Sequence, residues 1–88
     1  ERQVLLNQES LQLTQHEYSI LLLLVENPKK VFSREDIIKK IFGFDMDINL
    51  RVVDQHIKNI RKKIKDNYIQ TVFGLGYKMN EKVEKDEI

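Results

Sequence analysis

The chain has 88 residues, 41% hydrophobic and 33% charged, with one Pro, three Gly, no Cys and a net charge of +1. That is one domain's worth of chain; it buries only about 60–65% of its unfolded surface and builds one modest core, without room for a deep enclosed pocket. Disulfides and thiolate metal sites are excluded, the apolar fraction argues against disorder, and the longest apolar run, residues 20–25, is too short to cross a bilayer.

In chain order, Val4-Leu5-Leu6 and Leu11-Gln12-Leu13 flank the turn-prone Asn7-Gln8-Glu9-Ser10, which predicts a small β-hairpin. Thr14-Gln15-His16-Glu17 has the form of a capping box: the Thr14 hydroxyl accepts from the Glu17 N–H, and the Glu17 carboxylate accepts from the Thr14 N–H. The helix it opens carries Tyr18, Ile20, Leu21, Leu22, Leu23, Leu24 and Val25. Apolar residues cover most of its circumference, so it is expected to lie centrally. Asn27-Pro28 ends it, because the residue before Pro avoids the helical region. Ser33 opens a second helix, with Asp36 placed for a reciprocal bond, Ile37, Ile38, Ile41 and Phe42 as its buried stripe, and Gly43 at its left-handed end. The connection over 43–49 exceeds the three- or four-residue turn of the simplest helix-turn-helix.

Asn49 caps a third helix, expected over about 50–65. With Val53 as the zero of angle and about 100° per residue, Ile57, Ile60 and Ile64 fall within about 40° of it. Arg51, Gln55, Lys58 and Lys62 cluster opposite, with Val52 and Asn59 on the shoulder and His56 at the border of the two faces. Asp54 and Arg61 share one flank, where Asp54 can pair with Arg61 or with Lys58. Tyr68-Ile69-Gln70-Thr71-Val72-Phe73, a Gly74-Leu75-Gly76 tip and Tyr77-Lys78-Met79 then read as a C-terminal hairpin, and the charged, aperiodic residues 80–88 as a frayed tail. The expected architecture is α+β: three helices, a short N-terminal antiparallel sheet and a C-terminal β-hairpin wing, a winged helix-turn-helix domain over 1–80 followed by a charged, disordered tail over 81–88.

Charge is unevenly placed. Residues 51–65 carry six cations against Asp54 alone, a local balance of +5, while the other 73 residues carry nine basic and thirteen acidic side chains, a balance of −4. A segment that collects the positive charge offers itself to a polyanion, although a solvated lysine-rich face alone has the same composition. The major groove of B-DNA is about 12 Å wide and admits one helix. A helix apolar on one side and lined with cations and amides on the other suits it, the cations positioning on phosphates and the amides reading bases. On that division Arg51, Lys58 and Lys62 position, Arg51 also being a candidate guanine reader; Gln55, Asn59 and Val52 face bases, with Gln55 and Asn59 suited to adenine and Val52 to a thymine methyl.

Residues 13–79 closely resemble the DNA-binding domain of OmpR/PhoB-type two-component response regulators. The resemblance is carried by Leu13-Thr14 with Glu17-Tyr18, Val31-Phe32-Ser33-Arg34-Glu35, Ile41-Phe42-Gly43, Arg51-Val52-Val53-Asp54-Gln55-His56-Ile57, Ile60-Arg61-Lys62-Lys63-Ile64, and Ile69-Gln70-Thr71-Val72 before Gly74-Leu75-Gly76-Tyr77, in order and at the family's spacing. It implies a winged helix with a four-stranded N-terminal sheet, here short, and phosphate contacts from Arg51, His56 and, at the wing, Thr71. Val52, Gln55 and Asn59 match base-facing positions, and Lys58, Arg61 and Lys62 the basic part of the recognition helix. Phe73 stands where many relatives place an Arg that enters the minor groove, so Lys78 is the nearest remaining cation, and Asn59 replaces a commonly basic residue. The loop with Phe44, Asp45, Met46, Asp47 and Ile48 matches the segment through which some relatives meet RNA polymerase. The resemblance further implies double-stranded promoter DNA with direct repeats as the target, a monomer in solution that pairs head-to-tail on DNA, and a sensor kinase acting through a receiver domain absent from this chain.

An enzyme is the first rival reading. No carboxylate pair, Ser/His/Asp set or metal-ligand cluster stands out, and Gly74-x-Gly76 lacks a third glycine, Met79 standing there. Catalysis, a cofactor and a metal are therefore not expected. The second rival is a winged helix used for protein–protein contact, which calls for an apolar patch where this chain has cations and amides; the acidic Asp45 and Asp47 still leave room for a second, protein-binding surface. The absence of Cys and of a signal-peptide pattern favours the cytoplasm, and Glu1 at the first position suggests a piece of a longer protein.

Overall fold

A computed structural model describes residues 2–6, 9–43, 48–64 and 68–80. Strands β1 (Arg2–Leu6) and β2 (Glu9–Leu13) form an antiparallel pair in which Val4 faces Leu11 and Leu6 faces Glu9. The predicted hairpin is present, with its second strand starting at Glu9, inside the stretch expected to turn. Among the described residues this sheet has two strands, where the family resemblance implies four.

Helix α1 (Gln15–Glu26) begins at the predicted capping box: Glu17 N–H donates to Thr14 Oγ1 at 3.2 Å and Thr14 N–H to Glu17 Oε1 at 3.1 Å. Its buried positions, Glu17, Ile20, Leu21, Leu24 and Val25, repeat at helical spacing, while Leu22 reaches solvent. The helix is nevertheless central, touching both N-terminal strands, the two other helices and the last strand. It stops before Pro28, with Asn27 Nδ2 donating to the Leu23 carbonyl at 2.9 Å.

Helix α2 (Arg34–Ile41) has the same box, Asp36 N–H to Ser33 Oγ at 3.0 Å and Ser33 N–H to Asp36 Oδ2 at 3.3 Å. Those bonds from Ser33 favour the ionised carboxylate and hold Asp36 below its ordinary pKa. Gly43 closes the helix at φ 92, its N–H reaching back to the Ile38 carbonyl at 3.1 Å. Helix α3 (Arg51–Ile64) starts where Asn49 Oδ1 accepts the Arg51 N–H at 2.9 Å. The expected stripe of Val53, Ile57, Ile60 and Ile64 is entirely buried. It joins Ile20, Leu21, Leu24, Ile37, Phe32, Tyr68, Ile69 and Met79 in one core.

Strands β3 (Ile69–Val72) and β4 (Gly76–Met79) form the C-terminal hairpin, Thr71 opposite Tyr77 and Val72 opposite Gly76. Two expectations shift here. Phe73 leaves the strand for the turn, and Gly76 enters one. Asn80, expected in a frayed tail, donates its N–H to the Tyr68 carbonyl at 2.8 Å and closes the hairpin base. The expected tail over 81–88, Lys65 and the loop residues Phe44, Asp45, Met46 and Asp47 lie outside the described residues; Ile48 packs half-buried against the core.

Candidate nucleic-acid interface

The interface is built on α3, whose buried stripe determines what its other sides present. Arg51, Gln55, Lys58 and Lys62 are exposed, as their angles around the helix require, and Val52, His56 and Asn59 are half-buried on the shoulder. Gln55 Nε2 donates to Asn59 Oδ1 at 3.2 Å, so these two amides, one turn apart, are held as a pair.

Two of the six cations counted in residues 51–65 turn inward. Arg61 donates through Nη2 to the Ile69 carbonyl at 2.8 Å and to Thr71 Oγ1 at 2.9 Å, with its guanidinium 5.8 Å from the centre of the Tyr77 ring. It is a brace between α3 and the wing. Thr71, accepting from Arg61, keeps its own hydroxyl proton to donate. Lys63 reaches Glu17 of α1 at 2.6 Å, where the Glu17 side chain is only 3% exposed and the Lys63 side chain 37%. Burial works to raise the Glu17 pKa, but the Lys63 ammonium and the Thr14 N–H outweigh it and hold the carboxyl below its ordinary value.

Asp54 corrects the sequence reading. It pairs with neither Arg61 nor Lys58: Oδ2 takes Arg34 Nη1 of α2 at 3.2 Å, and Oδ1 accepts the Tyr77 hydroxyl of β4 at 2.6 Å. Packing places both partners nearer than the neighbouring turn of the same helix does. Burial first, then the Asp54 carboxylate, push the Tyr77 phenol up to about 12, against the opposing pull of Arg61 and Arg34. Arg34, Glu35 and Asp54 with the wing line an open groove of about 310 Å³. Lys78 sits half-buried in β4 opposite Gln70.

On the opposite flank of α3, His56 belongs to a ring cluster that periodicity does not reveal. Its ring centre lies 5.6 Å from that of His16 and 5.9 Å from that of Phe42, with His16 and Phe42 4.4 Å apart. His56 Nδ1 is buried without a hydrogen-bond partner among the described residues. Burial, then His16, lowers the His56 pKa, while Glu17 works the other way. Nothing in residues 14–17 beyond the capping pattern announces that Glu17 also receives Lys63, since that contact spans 46 positions.

The wing is fastened by backbone as well. Phe32 N–H donates to the Tyr77 carbonyl at 2.8 Å and Tyr77 N–H to the Phe32 carbonyl at 2.9 Å, an isolated bridge that the sequence reading missed because one paired residue leaves no alternation.

The comparisons agree with this geometry. The family described as "Transcriptional regulatory protein, C terminal" matches residues 7–79. The uncharacterized transcriptional regulatory protein YclJ of Bacillus subtilis is 43% identical over 84 residues, covering 91% of this chain and 37% of that protein. The chain thus spans little more than a third of the length of such curated relatives. Among solved structures, the DNA-binding domain of Bacillus subtilis CssR superposes with a TM-score of 0.82 at 35% identity, covering 90% of this chain and 91% of that one. The Klebsiella pneumoniae RstA DNA-binding domain, solved in complex with the RstA box, gives a TM-score of 0.77 at 31% identity, with coverage of 89% and 82%. With three helices, a fastened wing and a family match over most of its length, the chain belongs to the C-terminal domains of transcriptional regulatory proteins, of the OmpR/PhoB response-regulator type.

Proposed function

We propose that this chain binds double-stranded DNA sequence-specifically, with α3 in the major groove, as the output domain of a bacterial two-component transcription regulator. The observation that carries the reading is the division of α3 into a wholly buried Val53, Ile57, Ile60 and Ile64 stripe and an exposed side of cations and amides. It is supported by likeness to a domain solved on its DNA box.

Arg51, Lys58 and Lys62 meet phosphates. The Gln55–Asn59 pair leaves the Gln55 Oε1 acceptor and the Asn59 Nδ2 donor outward, the complement of the N6–H donor and N7 acceptor of adenine. Val52 lies beside them for a thymine methyl. His56 and Thr71 donate to phosphates at the two borders of the face, Lys78 adds charge from the wing, and Arg61 acts mainly by bracing the wing. In the whole protein, two copies bind direct repeats head-to-tail, while the isolated domain is monomeric. The loop from Phe44 to Ile48 meets RNA polymerase, a sensor kinase acts through the receiver domain, and the site of action is the cytoplasm. The chain itself performs no catalysis.

Titration with duplex selected from a random pool tests the reading. NMR signals of residues 51–62 are expected to move most. Arg51→Ala and Lys62→Ala each lower the slope of log affinity against log salt by about 0.9, one phosphate contact apiece. Unmoved α3 signals, with another surface responding, reject the proposal.

A further inference from the structure

The tip of the wing carries apolar side chains that no internal packing explains. Phe73 is 92% exposed and Leu75 64%. They flank Gly74, whose φ of 79 suits the third position of a type II turn, closed by Leu75 N–H donating to the Val72 carbonyl at 2.9 Å. The turn is carried by a braced hairpin. Below it lie the paired Phe32–Tyr77 backbone bonds, the Arg61–Thr71 bond and the Tyr77–Asp54 bond. The Phe73 ring is thus presented to solvent on a fastened support.

Its position relative to α3 decides what it meets. Asp54 and Arg61, which hold the wing, lie about 40–80° around the helix from Arg51 and Lys58, so the wing stands beside the cationic face. Thr71 accepts from Arg61 of α3, and Phe73 stands two residues further toward the tip, at most about 7 Å along the chain. With α3 in a major groove about 12 Å wide, an element on its flank first meets the phosphate ridge and then the minor groove beyond. Thr71 falls at the ridge and Phe73 past it. A protein partner fits the tip poorly. A stable interface needs about 1,000 Å² of buried surface, a Phe ring contributes about 150–250 Å², and the groove behind the tip is walled by the charged Arg34, Glu35 and Asp54. One ring on a rigid support matches the size of one base step.

We propose that Phe73 is an apolar wedge that enters the minor groove and partly unstacks one base step, with Leu75 packed beside it. The proposal rests on the DNA-binding reading of α3. Being uncharged, the wedge adds affinity without releasing counterions, and it favours pyrimidine–purine steps, which unstack most readily.

The test uses this chain with the duplex it selects from a random pool, carrying 2-aminopurine at successive steps on the wing side. Wild type is expected to raise fluorescence at one step. Phe73→Ala abolishes the rise and lowers affinity about fivefold or more, the loss expected for one stacked base, with an unchanged salt slope. Phe73→Trp retains both signals. Thermal midpoints of both variants stay at the wild-type value because the side chain is exposed, so lost binding is not lost folding. If Phe73→Ala binds as tightly and gives the same fluorescence, the wedge is overturned while the major-groove reading stands. If wild type binds no duplex, both fall.

Discussion

Gly76 is the glycine whose missing side chain matters most to the wing. A Cβ there would lie 2.0 Å from the Phe32 carbonyl oxygen, 2.7 Å from its carbon and 2.8 Å from Ser33 Cα, all backbone atoms that no rotamer change can clear. Gly74 also has a positive φ, but nothing lies within 4 Å of its Cβ position. Gly74→Ala therefore costs only the left-handed backbone, about 1–2 kcal/mol. Gly76→Ala must also part Phe32 from Tyr77 and give up their two backbone bonds, adding about 1–3 kcal/mol. Urea midpoints should rank the variants in that order, and equal losses would contradict the close approach. At the same scale, the proposed base-reading role makes the bonded Gln55–Asn59 pair a unit, and Gln55→Ala is expected to relax base preference at one pair by about 1–3 kcal/mol. Its loss also frees Asn59, so selection from a random pool is expected to show blurring at the adjacent position, proposed for Asn59, as well. An unaltered consensus would remove both amides from the readout.

At the scale of elements, α3 and the wing form one unit, because Asp54 and Arg61 join them through Tyr77, Ile69 and Thr71. A phenol pushed up to about 12 from 10.0 keeps its proton longer in the folded chain than in the unfolded one. The sign follows: stability is whole below pH 10 and falls as pH rises through 12. Tyr77→Phe is expected to lose about 1 kcal/mol at neutral pH, since Asp54 is partly solvated and keeps Arg34, and to flatten the decline between pH 10 and 12. Thermal melts across that window check it. A Phe variant with the wild-type alkaline decline would show that another group titrates.

For the molecule as a whole, the acid side is governed where α1, α2 and α3 meet. His56 has a pKa held below 6.5 by burial and by His16, so as pH falls through 6.5 the unfolded chain takes up its proton first and stability drops. Glu17, held below 4.5 despite its burial by Lys63 and Thr14, adds a second loss below that pH as its carboxylate is protonated. Melting curves should show two descending steps, and His56→Gln should remove the upper one while leaving the lower. A single step near pH 4 in both proteins would contradict the role of His56. The same junction carries the Lys63–Glu17 pair, so part of the positive charge of α3 serves cohesion and is withdrawn from the face offered to DNA.

The sequence by itself determined everything that local spacing controls: both capping boxes, the Gly43 stop, the buried stripe of α3 and the exposure of Arg51, Gln55, Lys58 and Lys62 opposite it. These follow from a 3.6-residue period and from side chains bonding backbone three residues away, information contained within one or two turns. Only the tertiary structure decided the partners of Asp54, Arg61 and Lys63. Asp54 had Lys58 and Arg61 on its own helix and Lys63 had no acid within a turn on that helix, yet each of the three found partners 8 to 46 residues away. The physical reason is that packing the apolar stripe brings α1, α2 and the wing against the flanks of α3. Once there, the part-buried contacts of Arg61, of Lys63 and of Asp54 with Tyr77 are stronger than a solvated pair along the helix surface.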